Sequence, residues 1–198
     1  MTRALTPKGL ATRQRLLDAA VEHLAAHGAI EVARIAAAAG VTQSVLYRYF
    51  DGRDGLVAAV VQTFYDNYEE QVFGRRDVPG STWPVREALR LEREVAFFYD
   101  HLLGRALACG LLREPAAAQV DAERTRAQAK AAGRNIRAGQ RAGELSVQID
   151  ADLAGAAIIG AVRTMLSEAL ARNPPADRRD VVRAALQIGA AVLGTGPL

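Results

Sequence analysis

Cysteine, histidine and aromatic side chains are scarce in this chain of 198 residues. With one cysteine, Cys109, the sequence excludes an internal disulfide framework and a CxxC metal pair. The three histidines, His23, His27 and His101, are too scattered to predict a metal-ligand set. The sequence also lacks a glycine-rich phosphate loop and a nucleophile with a positioned base. We therefore predict neither an enzyme nor a cofactor.

Long apolar runs are lacking as well. No run approaches the roughly 20 apolar residues that cross a bilayer. The N-terminal residues MTRALTPKG do not contain the apolar centre of a signal peptide. We therefore expect a soluble, cytoplasmic protein that makes no membrane contact.

Hydrophobic residues make up 50% of the chain but aromatic residues only 6%, so alanine, leucine and valine supply most of the core. This composition favours helices, and the alternation of β-branched residues that marks strands is nearly absent. We predict an all-α fold of about nine helices. Outside the motif described next, the predicted helices cover residues 8–28, 53–73, 82–113 (as one helix or two), 115–142, 150–172 and 177–193, with a loop at 74–81.

Residues 32–53 contain the most informative pattern in the sequence. Residues 32–39 place apolar side chains at positions i, i+3, i+4 and i+7, which form one face of a short helix. Gly40 can end that helix in the left-handed conformation, and Thr42 is a favourable N-cap for a second helix. The second helix turns its apolar side chains inward and leaves its polar ones outside. The pattern predicts a helix-turn-helix that can enter a DNA major groove.

This stretch resembles the DNA-binding signature of tetracycline-repressor-type (TetR-family) regulators. The resemblance rests on the residues IA at 35–36, AGVT at 39–42 and LYRYF at 46–50, followed by Arg53 and Leu56. With the preceding helix, it covers about a quarter of the chain. It implies a DNA-binding domain of three helices at residues 1–53 and a helical ligand-binding and dimerisation domain at residues 54–198.

Three positions depart from the usual form of the family motif. Ser44 stands where glycine is usual, Arg53 where lysine is usual, and Glu31 where a threonine often caps the helix. Arginine in place of lysine preserves a phosphate contact, because both side chains carry a positive charge and hydrogen-bond donors.

The polar side chains of the motif are the candidate DNA contacts. Gln43 and Ser44, at the start of the reading helix, are candidates for base edges, and glutamine pairs well with adenine. The candidates for phosphate contacts that set the register are Thr42, Tyr47, Tyr49 and Arg53. Tyr49 is equally compatible with a core ring that exposes only its hydroxyl, and Arg48 either reads a base or is solvated.

The positive charge of the chain lies in the same region. Residues 1–53 carry seven basic and four acidic side chains, whereas the remaining 145 residues carry eighteen of each. An excess of positive charge at the candidate DNA-binding segment suits phosphate neutralisation. An excess of three charges in fifty residues is also within ordinary scatter, so the charge is supporting evidence only.

The last two predicted helices carry the candidate dimer contacts. Residues 153–171 are apolar around almost the full circumference, and such a helix must be buried on both sides. The candidate dimer contacts are Leu153, Ala157, Gly160 and Thr164 on its small side and Val181, Ala185, Ile188 and Val192 on the last helix. A homodimer formed by a four-helix bundle is also what the family resemblance implies. The alternative is that the whole surface packs within one subunit.

The position of one carboxylate, that of Glu92, indicates a candidate ligand pocket. If residues 85–107 form one helix, Glu92 falls in the middle of an apolar arc, where a charge must be paired or face a cavity. Our hypothesis places Glu92 in an effector pocket near Tyr99 and Arg163, with Phe64 and Met165 as further lining. Such a pocket would favour an apolar ligand with a cationic or hydrogen-donating group. The alternatives are an internal ion pair of Glu92 with Arg163 or Arg93, or a helix break that turns Glu92 outward.

Together these features predict a ligand-responsive transcriptional regulator, usually a repressor. It would bind a palindromic operator in double-stranded DNA as a homodimer and be released by a small molecule. The rival hypothesis is a helical adaptor that binds protein and has no specific DNA site. That hypothesis accounts for the helices but leaves the exposed polar side chains of the helix-turn-helix unexplained.

Overall fold

The computed structural model describes residues 5–74 and 82–195, and these residues form nine α-helices and no strand. The prediction of an all-α fold is therefore confirmed for this part of the chain. Most of the predicted loop at 74–81 lies outside the described residues. The helices are α1 (Pro7–His27), α2 (Val32–Ala38), α3 (Gln43–Leu46), α4 (Gly52–Phe73), α5 (Trp83–Asp100), α6 (Gly104–Ala108), α7 (Pro115–Arg141), α8 (Ala151–Ala171) and α9 (Arg178–Leu193).

The first helix begins and ends at residues suited to those positions. The Thr6 hydroxyl accepts a hydrogen bond from the Gly9 amide at 3.2 Å, and Pro7 occupies the first turn, where its missing N–H is no loss. Gly28 ends the helix with a φ of +69°, which favours glycine. Between these ends, α1 buries Leu16, Leu17, Ala20 and Leu24. This stripe covers α2 and packs along α4.

A glycine turn joins the two helices of the motif. Gly40 has a φ of +70°, and the Val41 amide donates to the Ala36 carbonyl at 2.9 Å, which closes the turn. Thr42 occupies the N-cap position of α3, as the sequence predicted, although its hydroxyl makes no capping hydrogen bond. Burial of Leu46 and Phe50 holds the short α3 against the other helices instead.

The helix α4 joins the motif to the rest of the molecule. It has 22 residues, which makes it about 33 Å long. One face is buried along its whole length, from Leu56 and Val57 to Tyr68 and Val72. Because α4 packs against α1 as well as against α5 and α7, it connects the motif to the C-terminal helices.

The long segment after Trp83 is interrupted between Asp100 and Gly104 and again after α6, where Gly110 has a φ of +62°. Helix α5 ends at Asp100, and His101 has an extended backbone with a ψ of 134°. Gly104 begins α6. A Cβ at this position would lie 1.9 Å from the Phe98 carbonyl oxygen, so the close return of the chain requires glycine.

Helix α8 is the centre of the C-terminal bundle, packed against α6, α7 and α9. Asp150 is its N-cap, and the Asp150 carboxylate accepts hydrogen bonds from the amides of Asp152 and Leu153. Contrary to our expectation about apolar runs, this helix is long and apolar enough to cross a membrane by length and composition alone. The core helix of a soluble protein meets the same criterion, and nine of its residues are buried inside the subunit.

Candidate nucleic-acid interface and interior cavities

The polar residues of the motif face outward. Gln43, Ser44 and Arg48 are exposed, and the ring of Tyr47 is 52% exposed although it is large and apolar. Thr42 is exposed as well. The sequence pattern thus predicted which side chains of the motif leave the core. Their roles in DNA contact stay predictions.

Two candidates of the motif have additional partners inside the protein. Tyr49 is half-buried and packs against the core. Arg53 is half-exposed, and its guanidinium donates to the Glu114 carboxylate at 2.6 Å. The same Glu114 oxygen accepts a hydrogen bond from the Ile30 amide at 2.8 Å. Sequence reasoning missed this contact because Glu114 lies 61 residues from Arg53.

The segment before α7 therefore binds the end of α1. The Arg113 amide donates to the Gly28 carbonyl at 2.8 Å, and its guanidinium donates to the His27 carbonyl at 3.0 Å. Glu114 itself is 3% exposed. This junction, formed by residues 27–30, Arg53, Arg113 and Glu114, connects the helix-turn-helix directly to the C-terminal helices.

The outer face of α8 is exposed in the single chain. Leu153 is 72% exposed, and Ala157, Gly160 and Thr164 lie exposed along the same side. A Cβ at Gly160 would meet nothing within 4 Å. The sequence correctly separated this small side of the helix from its bulky, buried side.

The predicted dimer stripe on α9 is wrong in part. Val181 and Ala185 are buried inside the subunit, at 5% and 1% exposure, so they are unavailable to a second copy. Ile188 and Val192 are half-buried. The predicted stripe combined residues from two faces of α9. The inner face of α9 packs on α5 and α8, and the sequence alone does not indicate which apolar side of the helix is the inner one.

The prediction that Glu92 occupies a buried arc is also wrong, because its side chain is exposed. The buried face of α5 carries Trp83, Leu91, Phe97 and Phe98 and, among them, the acids Glu87 and Glu94. The large aromatic side chains determine which face of α5 is buried. The predicted arc treated residues 85–107 as one helix, whereas α5 ends at Asp100.

The other proposed pocket residues do not gather around Glu92. The Tyr99 hydroxyl donates to the Ala176 carbonyl at 2.8 Å. Arg163 donates to both oxygens of Asp121, at 2.8 and 2.7 Å, rather than to Glu92. Phe64 is packed in the aromatic core and Met165 is half-buried against the same core. The structure thus gives these four side chains packing or ion-pair partners instead of a shared cavity with Glu92.

Glu92 lies instead at a surface groove between α5 and α9, which we call the α5–α9 groove. Its volume is about 420 Å³. Val95, Val182 and Leu186 line its apolar part, and Arg179 is among the arginines beside it.

A second cavity, which we call the outer cavity, lies between α4, α5 and α7 and has a volume of about 220 Å³. Glu87 is buried in its wall: one carboxylate oxygen accepts from the Asn135 amide at 2.8 Å, and the other accepts from Arg90 Nε at 2.8 Å. The same wall borders a narrow inner cavity of about 20 Å³ that includes Trp83. The Trp83 indole N–H is buried and has no hydrogen-bond partner among the described residues.

Burial shifts the pKa of two groups close to Arg90, which lines the outer cavity. Loss of solvation raises the pKa of the Glu94 carboxyl above its usual range, although the Arg90 guanidinium acts in the opposite direction. Burial likewise raises the pKa of the Tyr68 hydroxyl, with the nearby Glu94 carboxylate adding to the effect. These polar groups lie in an interior that is otherwise apolar, and the sequence analysis did not identify them.

A short helix that presents polar side chains after a glycine turn, backed by an apolar core, defines a helix-turn-helix DNA-binding protein. Residues 16–60 match the family model of bacterial regulatory proteins described as the tetR family. The helix-turn-helix of this chain is accordingly of the tetR-family type, as the motif predicted. Members of this family are transcription regulators rather than enzymes. No curated protein matches the sequence.

Solved structures share the fold over nearly the whole chain. The fatty acid degradation regulator FadR from Bacillus halodurans is 20% identical, with 97% of each chain covered and a TM-score of 0.72. FadR from Bacillus subtilis, in complex with stearoyl-CoA, is 19% identical over 91% of this chain and 97% of that one, with a TM-score of 0.68. RolR in complex with resorcinol is 22% identical over 92% and 86%, with a TM-score of 0.62.

Proposed function

We propose that the protein is a ligand-responsive transcriptional repressor of the cytoplasm that binds a palindromic operator as a homodimer. Residues 1–53 would read the DNA, and residues 54–198 would bind the effector and form the dimer. The observation that carries the proposal is the outward orientation of Gln43, Ser44, Tyr47 and Arg48 on a helix-turn-helix. Two structural neighbours that bind small molecules, FadR and RolR, support an effector.

The roles of the DNA-contacting residues follow from their chemistry. Gln43 and Ser44 contact base edges, while Thr42, Tyr47, Tyr49 and Arg53 contact phosphates. In a dimer the two reading helices lie about 34–36 Å apart or a little wider, which sets the distance between operator half-sites. The exposed outer face of α8 supports α8 as part of the dimer contact.

An electrophoretic mobility shift with the DNA that flanks the gene tests this function. The wild-type protein should bind one fragment in the presence of excess random DNA. Gln43→Ala should weaken operator binding by about 1–3 kcal/mol while random DNA binding is unchanged. Arg53→Ala should weaken binding to every sequence and lower the salt slope by about one.

Gln62→Ala, at an exposed position on α4, is the matched control and should bind as the wild type does. Equal loss on operator and random DNA would show that Gln43 does not read a base. Absence of any DNA binding would favour the protein-binding adaptor instead.

A further inference from the structure

We propose that the outer cavity between α4, α5 and α7 is a binding site for a small anion, a carboxylate or a phosphate monoester with an apolar portion. This inference rests on the proposed function in one respect, because the anion would be the effector of the regulator. The chemical class of the ligand is argued from this chain alone.

The carboxylate of the outer cavity is already engaged. Both Glu87 oxygens accept hydrogen bonds, one from Asn135 and one from Arg90. The Arg90 guanidinium neutralises the Glu87 charge from within hydrogen-bond distance and lies 5.3 Å from the centre of the Phe73 ring. A cation entering the cavity would therefore have to compete with Arg90 for Glu87.

Two side chains of the outer cavity have donors without a protein partner. Arg93 lines the cavity and forms no ion pair or hydrogen bond within the described part of the chain. Gln128 lines it too, and its amide is not fully buried and has no hydrogen-bond partner among those residues. This amide can therefore donate to an acceptor of a ligand. The complementary ligand group is an acceptor with negative charge.

The remaining wall is apolar. Val72, Phe73, Ala131 and Ala132 line the cavity beside the polar groups. A ligand that carried only a charge would leave this surface without a partner. The geometry thus fits an amphipathic molecule whose acidic group lies between Arg93 and Gln128.

Titration calorimetry on the full chain without DNA tests the site. The probes share an eight-carbon chain: octanoate, octyl phosphate and octylamine. One of the two anions should bind with one site per chain and at least ten times more tightly than octylamine. The ratio of octanoate to octyl phosphate affinity decides between a carboxylate and a phosphate.

Two variants locate the binding. Arg93→Gln should weaken the anion at least tenfold, and Gln128→Leu should weaken it severalfold. Arg179→Gln, at an arginine of the α5–α9 groove, is the matched control and should change the affinity less than twofold. Circular dichroism melting of each variant verifies that it is folded. A larger loss in Arg179→Gln than in Arg93→Gln, or octylamine affinity equal to that of the anions, would overturn the proposal.

The proposed function can fail independently of this site. Anion binding that depends on Arg93, in a protein that binds no DNA, overturns the repressor function and leaves the anion site intact. Specific DNA binding together with no saturable binding of either anion overturns the anion site and leaves the repressor function intact.

Discussion

Glu94 shows how one buried carboxylate adds a pH dependence to stability. Its side chain is 4% exposed, and burial raises its pKa in the folded state. Between the ordinary carboxyl pKa of 4.5 and the raised folded value, the native state binds more protons than the unfolded state. The contribution of Glu94 is therefore fully present below pH 4.5 and is lost as the pH rises through the folded pKa.

We predict that Glu94→Gln removes this dependence. The difference in free energy of unfolding, wild type minus Glu94→Gln, should fall as the pH is raised from 4 to 8. Urea titrations at several pH values measure it. Glu92→Gln, at an exposed acid of the same helix, is the matched control and should show a smaller change. A wild type that gains stability over Glu94→Gln with rising pH would contradict the prediction.

Single residues also show where sequence reasoning succeeds. The side chains of the motif alternate between inside and outside with the helical period, so the exposure of Gln43 and Ser44 was predictable. The position of Glu92 was not, because the same periodicity fits more than one apolar face on α5. The aromatic residues Phe97 and Phe98 decide the face by their size, through contacts with Phe64 on another helix.

At the scale of elements, we expect the junction between α7 and the helix-turn-helix to influence the strength of DNA binding. Arg53, a candidate phosphate contact, shares its guanidinium with the Glu114 carboxylate at 2.6 Å. A phosphate and Glu114 therefore compete for the same group. Because the N–H of Ile30 also binds Glu114, a change at this carboxylate reaches the start of the helix-turn-helix.

We predict that Glu114→Gln strengthens binding to any DNA by roughly threefold, because the amide keeps an acceptor for Ile30 but no longer attracts Arg53 electrostatically. Mobility shifts at several salt concentrations measure the change. In an Arg53→Ala background, Glu114→Gln should give no gain in DNA affinity. The four proteins together form a double-mutant cycle. A gain of the same size in both backgrounds would show that Glu114 acts through another group.

The crossing of α7 and α8 depends on glycine. A Cβ at Gly155 would lie 2.6 Å from the Gly133 amide nitrogen and 3.0 Å from the Ala129 carbonyl oxygen, so the backbones would have to separate. We predict that Gly155→Ala destabilises the protein by about 1–3 kcal/mol despite the better helix propensity of alanine. Urea unfolding of the variant and the wild type measures this. A stability of Gly155→Ala equal to that of the wild type would contradict the close crossing.

At the scale of the whole molecule, the outer face of α8 is the feature that a single chain leaves uncovered. Leu153 is 72% exposed at one end of a face that continues through Ala157, Gly160 and Thr164. We expect a second copy to cover this face, because exposed apolar patches of this kind mark interaction sites.

We predict that Gly160→Leu dissociates the homodimer without unfolding the subunit, since a side chain there meets nothing within the chain. Sedimentation velocity at micromolar concentration measures the oligomeric state, and circular dichroism measures the fold. Glu123→Leu, an exposed site on α7, is the control for added apolar surface. A wild type that sediments as a monomer would contradict the dimer and, with it, the palindromic operator.

Local sequence determined most of the elements in this protein. Helix ends follow from side chains near in sequence, such as Asp150 and Gly28, and the motif follows from the spacing of residues 32–50. These signals act over one or two turns, because capping and helical periodicity are short-range effects.

Only the tertiary structure determines which groups far apart in the sequence come into contact. The contacts of Arg53 with Glu114 and of Asn135 with Glu87 join residues 61 and 48 positions apart. It also decided that Glu87 is buried and Glu92 exposed. Both acids lie on one helix, so only the packing of neighbouring helices distinguishes them, and that packing depends on side-chain volumes from the whole chain.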